Sequence, residues 1–364
     1  MMWAMVTLAD LQRPPGDGRA AAPAGLALAV ERVRTFDTPD FRGMTFLEVD
    51  ARSALNRVKG MPFAWSLNPY RGCSHACSYC FARPTHAYLN LSPLGDFERT
   101  VVVKANVVEV LRRELCRPSW RGEHVAMGTN TDPYQRCEGR YALMPGIIAA
   151  LADARTPLSI LTKGTLITRD LDVLRDAAGQ VAVSAALTVG MLDRALWRRV
   201  EPGTPSPTAR LRAVGQLNAA GITTGVMLAP IMPGLNDDPE QLAELVERCV
   251  DAGAVHITPI VLHLRPGVRE VFWPWLVEHH PDLEDRYRRL YRGGNAAKAY
   301  RDEVCAFVAA RRADAWRRRG RPAVPPSWRG LPDDRRPPVA ADPSLPAGTA
   351  AAAVAGGQMQ LSLL

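Results

Sequence analysis

Lysine is scarce in this chain. Of 45 basic residues only Lys59, Lys104, Lys163 and Lys298 are lysine, and the rest are arginine. With so much Ala and Pro alongside, this reads as a GC-rich coding bias, so the net charge of +8 is weak ground for an acidic partner. The same bias makes each surviving lysine conspicuous. Long apolar runs are also missing: every stretch is short and broken by charge, which excludes a bilayer-spanning helix. No basic residue precedes the first apolar stretch and Asp10 interrupts it, so no signal peptide is expected and the protein is expected in a reducing cytoplasm. Cysteine is sparse, at seven in 364 residues, which excludes a secreted disulfide scaffold.

What is present is an alternation of short β-rich runs and longer helical patterns. Residues 65–70, 123–128, 157–164, 180–187, 223–234 and 254–262 read as strands. Residues 104–115, 145–154, 169–178, 208–221 and 238–253 read as helices, two of them ending at Gly221 and Gly253. Short links between alternating elements imply parallel strands with right-handed crossovers. Six units fall short of the eight that close a barrel, so the expected architecture is α/β, a partial (β/α)6 TIM-like barrel. Residues 1–43 read as a loose arm, residues 44–319 as the barrel with an Arg-rich helical cover from 282, and residues 320–364 as a disordered Pro/Ala-rich tail.

Three of the seven cysteines crowd into NPYRGCSHACSYCFAR as Cys73, Cys77 and Cys80. Three thiolates on one short loop suit an iron–sulfur cluster or zinc. A [4Fe–4S] cube takes four ligands, and the next cysteine, Cys116, lies beyond a helix. A cube held by three cysteines leaves one iron open to a substrate or cofactor. The alternative is a Cys3His zinc site with His75 or His86 as fourth ligand. Zinc ribbons supply a second close ligand pair, which this chain lacks.

The C-x3-C-x2-C spacing with Tyr79 before the last cysteine resembles the signature of radical S-adenosylmethionine enzymes. The longer string, with GTNTDPYQRCE at Gly128–Glu138, is similar to the spore-photoproduct-lyase-like branch. The resemblance runs from about Trp65 to Leu264. It implies a [4Fe–4S] cluster on Cys73, Cys77 and Cys80, S-adenosylmethionine chelated to the open iron, reductive cleavage to a 5′-deoxyadenosyl radical, and an electron donor such as flavodoxin or ferredoxin. It further implies that Thr131 and Asp132 lie near the cluster, where an acceptor holds the cofactor's ammonium. Lys163, at the end of the third strand and conspicuous in a chain that prefers arginine, is a candidate partner of the cofactor carboxylate as a compact point charge, and Ser184, mid-run in the apolar fourth strand, a candidate donor to the same group. Glu201 and Arg210 would be a pair ordering the nearby loop, and Met227–Asn236 an edge against the adenine. Cys137, fourteen residues past the second strand's start, is a candidate hydrogen-atom donor.

Two departures bear on the substrate. Spore photoproduct lyases carry a cysteine near the position of Thr129 and a tyrosine at that of Phe81, and both serve the lyase's hydrogen-transfer path. The resemblance therefore extends to cofactor and reaction class and not to photolesion repair. A nucleic-acid substrate is the favoured expectation. The last residues, Gln360-Leu361-Ser362-Leu363-Leu364, resemble the peptide with which bacterial repair proteins dock on the sliding clamp, with Leu364 in place of Phe. The rival class is a non-catalytic, zinc-stabilised nucleic-acid-binding protein whose Arg286–Arg292 and Arg311–Arg321 segments contact phosphates.

Overall fold

Each of the six expected β-rich runs contains a strand. The computed structural model describes residues 30–320. Its strands are β1 (Val30–Arg34), β2 (Thr45–Val49), β3 (Leu55–Arg57), β4 (Trp65–Leu67), β5 (Tyr70–Arg71), β6 (Thr100–Lys104), β7 (Val125–Met127), β8 (Leu158–Thr162), β9 (Val183–Thr188), β10 (Thr223–Ile231) and β11 (Ile257–Val261). Its helices are α1 (Asp96–Arg99), α2 (Val107–Leu115), α3 (Glu138–Tyr141), α4 (Leu143–Asp153), α5 (Leu171–Ala178), α6 (Arg194–Val200), α7 (Pro207–Ala219), α8 (Pro239–Asp251), α9 (Arg269–His279), α10 (Glu284–Leu290) and α11 (Lys298–Arg318).

The larger sheet runs β11-β10-β9-β8-β7-β4-β3. Its six neighbours from β4 to β11 are parallel, and β3 is antiparallel at the edge. The sheet ends at β11 and β3, so it is the open, partial barrel expected. Side chains alternate across it. Leu158, Ile160, Val183, Ala185, Leu187, Val226 and Leu228 are buried in the main apolar core with the helices. The alternate residues Ser159, Leu161, Ser184, Ala186, Met227 and Thr258 keep partial exposure on the opposite, inner face.

The helices start where local chemistry stops the preceding loop. Asp238 accepts hydrogen bonds from the Glu240 and Gln241 amides at the start of α8, and Ser206 accepts from Ala209 at the start of α7. Pro239 and Pro207 then occupy the first helical positions, where a missing N–H has no consequence. In the Arg-rich cover, α11 packs along α8 and β11, and the Arg312 guanidinium donates to the Ile257 carbonyl at 2.8 Å.

A second sheet, β1-β2-β6-β5, was not anticipated. Two corrections follow from it. Residues 30–34, assigned to the loose arm, pair with β2, and Phe41 is buried against Phe36 and Phe46. Residue 104, taken as a helix start, ends β6; the β-branched Val101–Val103 run favours a strand, and α2 begins only at Val107.

Candidate active site

The cysteine loop begins directly after β5, at the carboxyl end of β4, where loops of such barrels carry chemistry. Cys73 and Cys77 are buried, Cys80 is partly exposed, and all three are free thiols. The chain turns between the first two by placing Ala76 in the left-handed region at φ 53°. The loop is pinned from several sides. Cys73 N donates to Phe97 O at 2.9 Å and Ser78 N to Val200 O at 3.0 Å. Gln135 braces both ends of the first turn, accepting from Ser74 N at 2.9 Å and donating to Gly72 O at 3.0 Å. Gly203 donates to His75 O at 3.1 Å, and a Cβ at Gly203 would lie 2.0 Å from Ser74 O. Only glycine allows this approach.

Burial pushes the Cys77 thiol up to about 12 and that of Cys73 well above its ordinary range. Thiols that burial keeps from ionising need a compensating positive charge, which iron supplies as it displaces their protons. The donor set therefore fits a cluster. A zinc site fits less well. His75 Nδ1 faces the Asp132 carboxylate at 3.3 Å, and His86 Nε2 lies 3.0 Å from Thr100 O. Neither imidazole joins the thiols, and among the described residues no three His, Cys, Asp or Glu side chains converge on a single ion.

Asp132 is the hub of the rim. Thr162 Oγ1 donates to it at 2.5 Å, Lys163 N at 2.6 Å and Tyr134 N at 2.9 Å, in addition to His75. Burial opposes its charge, but the interaction with His75 and these hydrogen bonds prevail and hold its carboxyl at about 2. Four donors use the lone pairs of a carboxylate, so Asp132 fastens the cysteine loop to the end of β8 and has none left for an ammonium group. Thr131 is likewise committed, its buried hydroxyl donating to Tyr70 O at 2.7 Å.

The Lys163 ammonium lies 5.6 Å from the centre of the Tyr79 ring. Burial lowers its proton affinity, but Cys77 and Glu201 outweigh that and raise it, so it stays charged. The Tyr79 hydroxyl donates to Glu201. Glu201 and Arg210 form the expected pair, fully buried, and Arg210 also donates to Thr188 O at 2.8 Å and Pro205 O at 2.8 Å. Sequence reading found Glu201 and Arg210 but missed that Tyr79 connects them to the cysteine loop. The phenol alone signalled it, since a buried tyrosine hydroxyl requires a partner.

Two expectations change. Ser184 is in register with Ser159, four residues before Lys163, which sets it about 13 Å lower on the inner face. Thr188, in register with Met227, is the β9 residue at the level of Lys163. Cys137 sits at the start of α3 inside the apolar core with no exposure. Burial, then Glu138, raises its thiol far above the ordinary value. It does not face the mouth of the barrel.

A family model described as the Radical SAM superfamily matches residues 67–246, from β4 to within α8. This chain belongs to the radical SAM superfamily. Uncharacterised proteins of Mycobacterium tuberculosis strain H37Rv and Mycobacterium bovis are 52% identical to it over 297 residues, covering 81% of this chain and 86% of theirs. One from Methanocaldococcus jannaschii is 29% identical over 191 residues, covering 52% of this chain and 69% of its own. Among solved structures, a spore photoproduct lyase mutant superposes with a TM-score of 0.58 at 16% identity, over 74% of this chain and 79% of that one. The same lyase complexed with dinucleoside spore photoproduct gives 0.57 at 16% identity with the same coverage. At that identity the likeness is one of fold. The radical SAM family carries a [4Fe–4S] cluster and S-adenosylmethionine, and no helix among the described residues is long and apolar enough to cross a membrane.

Proposed function

We propose that Cys73, Cys77 and Cys80 hold a [4Fe–4S] cluster at the mouth of the barrel and that the enzyme reductively cleaves S-adenosylmethionine there. When bound and reduced, for instance by a flavodoxin or ferredoxin, the cluster supplies the electron that breaks the cofactor's C5′–S bond and yields a 5′-deoxyadenosyl radical. The chain's own residues prepare the place. Asp132 and Gln135 fix the loop, and Tyr79 and Glu201 hold Lys163 beside it. The Lys163 ammonium pairs with the cofactor carboxylate as a compact point charge. Glu201 and Arg210 order the loop around Thr188, and the inner face around Met227 receives the adenosine. The observation that carries this reading is the trio of free thiols on one pinned loop inside the family match.

The substrate is read as a component of nucleic acid. The shared fold with a lyase solved with a dinucleoside supports this, while Thr129 and Phe81 weigh against a photolesion. The cytoplasm is the proposed compartment. The clamp-like peptide Gln360–Leu364 lies outside the described residues. Anaerobic reconstitution followed by dithionite and S-adenosylmethionine tests the reading: 5′-deoxyadenosine and methionine are expected, and a protein that takes up zinc alone and forms neither refutes it.

A further inference from the structure

Lys104 is the last residue of β6 and only 5% exposed. Its ammonium has no hydrogen bond or ion pair among the described residues. Arg71, the last residue of β5, is half-buried and its guanidinium is equally unpartnered among them. The β5–β6 register pairs Arg71 with Val102, so Arg71 and Lys104 share one face of the small sheet as diagonal neighbours, about 7–8 Å apart at their origins. Both side chains are long enough to converge on one point. Beside them on that face lie Leu47, Val49 and Val102 under Leu89 and Leu91, with Thr45 and Thr100 further along the strands.

Two like charges held this close repel, and the Lys104 side chain is largely withdrawn from water. The acid that acts on Lys104 is Glu114, whose Oε2 already accepts from Ala54 N at 3.1 Å and Leu55 N at 2.9 Å. Burial first, and then Arg71, push the Lys104 ammonium down to about 8, with Glu114 acting weakly in the opposite sense. An oxyanion between the two cations removes both penalties at once, and a guanidinium fork with an ammonium is the pair that proteins use for phosphate. The position is informative. Arg71 stands two residues before Cys73, and Lys104 N donates to Pro69 O at 3.0 Å, at the end of β4. An anion held here would sit next to the start of the cysteine loop.

We propose that Arg71 and Lys104 form a phosphate-binding clamp beside the cysteine loop that grips the backbone of a nucleic-acid substrate. This deepens the proposed function and rests on its reading of the substrate. In a chain with four lysines, lysine-selective isotope labelling of the reconstituted holoenzyme resolves each ammonium or its neighbouring methylene by NMR, and Lys104→Arg assigns the Lys104 signal. Titration with inorganic phosphate and, separately, with a single-stranded dodecadeoxynucleotide should move that signal in both cases. Lys104→Met should weaken binding of the labelled oligonucleotide about tenfold and lower the salt slope by about one, with Lys104→Arg retaining most of the affinity. Iron content and substrate-free 5′-deoxyadenosine formation should be unchanged in Lys104→Met. A signal that responds to phosphate but not to the oligonucleotide overturns the assignment to nucleic acid, and a signal unmoved by either overturns the clamp. Either result leaves the cofactor reading intact, since 5′-deoxyadenosine formation is scored separately.

Discussion

The Tyr79 hydroxyl donates to the Glu201 carboxylate across 122 residues of chain, joining the cysteine loop to the segment after α6. Glu201 is buried and paired with Arg210, so the phenol is bonded to an anion that burial alone would neutralise and that Arg210 and Lys163 keep charged. Tyr79→Phe removes one donor to that anion. A hydrogen bond to a charged group contributes about 2 kcal/mol, so a loss of that size in urea unfolding is expected. Because the Tyr79 ring also lies under the Lys163 ammonium, the ring that remains in phenylalanine should preserve most of the S-adenosylmethionine affinity, measured by equilibrium dialysis.

Lys163 and Ser184 separate two views of the cofactor's carboxylate. The register sets Ser184 well below Lys163 and brings Thr188 level with it. Lys163→Met should weaken S-adenosylmethionine binding by about 2 kcal/mol with iron content unchanged. Ser184→Ala should leave that affinity within about twofold, a change below 0.5 kcal/mol.

Gly203 is where the loop has least room. A Cβ there falls 2.0 Å from Ser74 O, a backbone atom that cannot turn aside. Gly203→Ala should displace the segment between Cys73 and Cys77, lowering iron bound per chain after reconstitution while leaving the helical content seen by circular dichroism near wild type.

Acid should destabilise the fold before it protonates most carboxylates. Burial, and behind it Arg312, lower the His256 imidazole from 6.5 to about 4. A depressed histidine binds a proton in the unfolded chain before it does so in the folded one. Its contribution to stability is therefore full above about pH 6.5 and is lost as pH falls toward 4. A shift of this size corresponds to about 3 kcal/mol, read as the difference in unfolding free energy between pH 7 and pH 4. His256→Asn should flatten that part of the profile.

The larger sheet was legible because its strands are short apolar runs bounded by turns, and the chain order of strand and helix leaves few topologies. The small sheet was not, because Thr45–Val49 pairs with Thr100–Lys104 across a long separation and VVVKANVVEVL is apolar at both helical and strand spacings. The cysteine trio was legible because its members crowd into one short loop, and the resemblance, not the spacing alone, read it as a cluster site. The contacts around them were not. The commitment of Asp132 to His75 and Thr162 depends on which side chains three separate loops bring together, and the height of Ser184 depends on register, which a lone sequence does not reveal.

The central claim is that the three clustered thiols and no others hold iron. Each of Cys73→Ala, Cys77→Ala and Cys80→Ala, reconstituted anaerobically beside Cys116→Ala, is assayed for iron, sulfide and 5′-deoxyadenosine. The account predicts close to four irons per chain in wild type and Cys116→Ala, with iron and 5′-deoxyadenosine lost in the other three. Full iron content in any one of those three would contradict it.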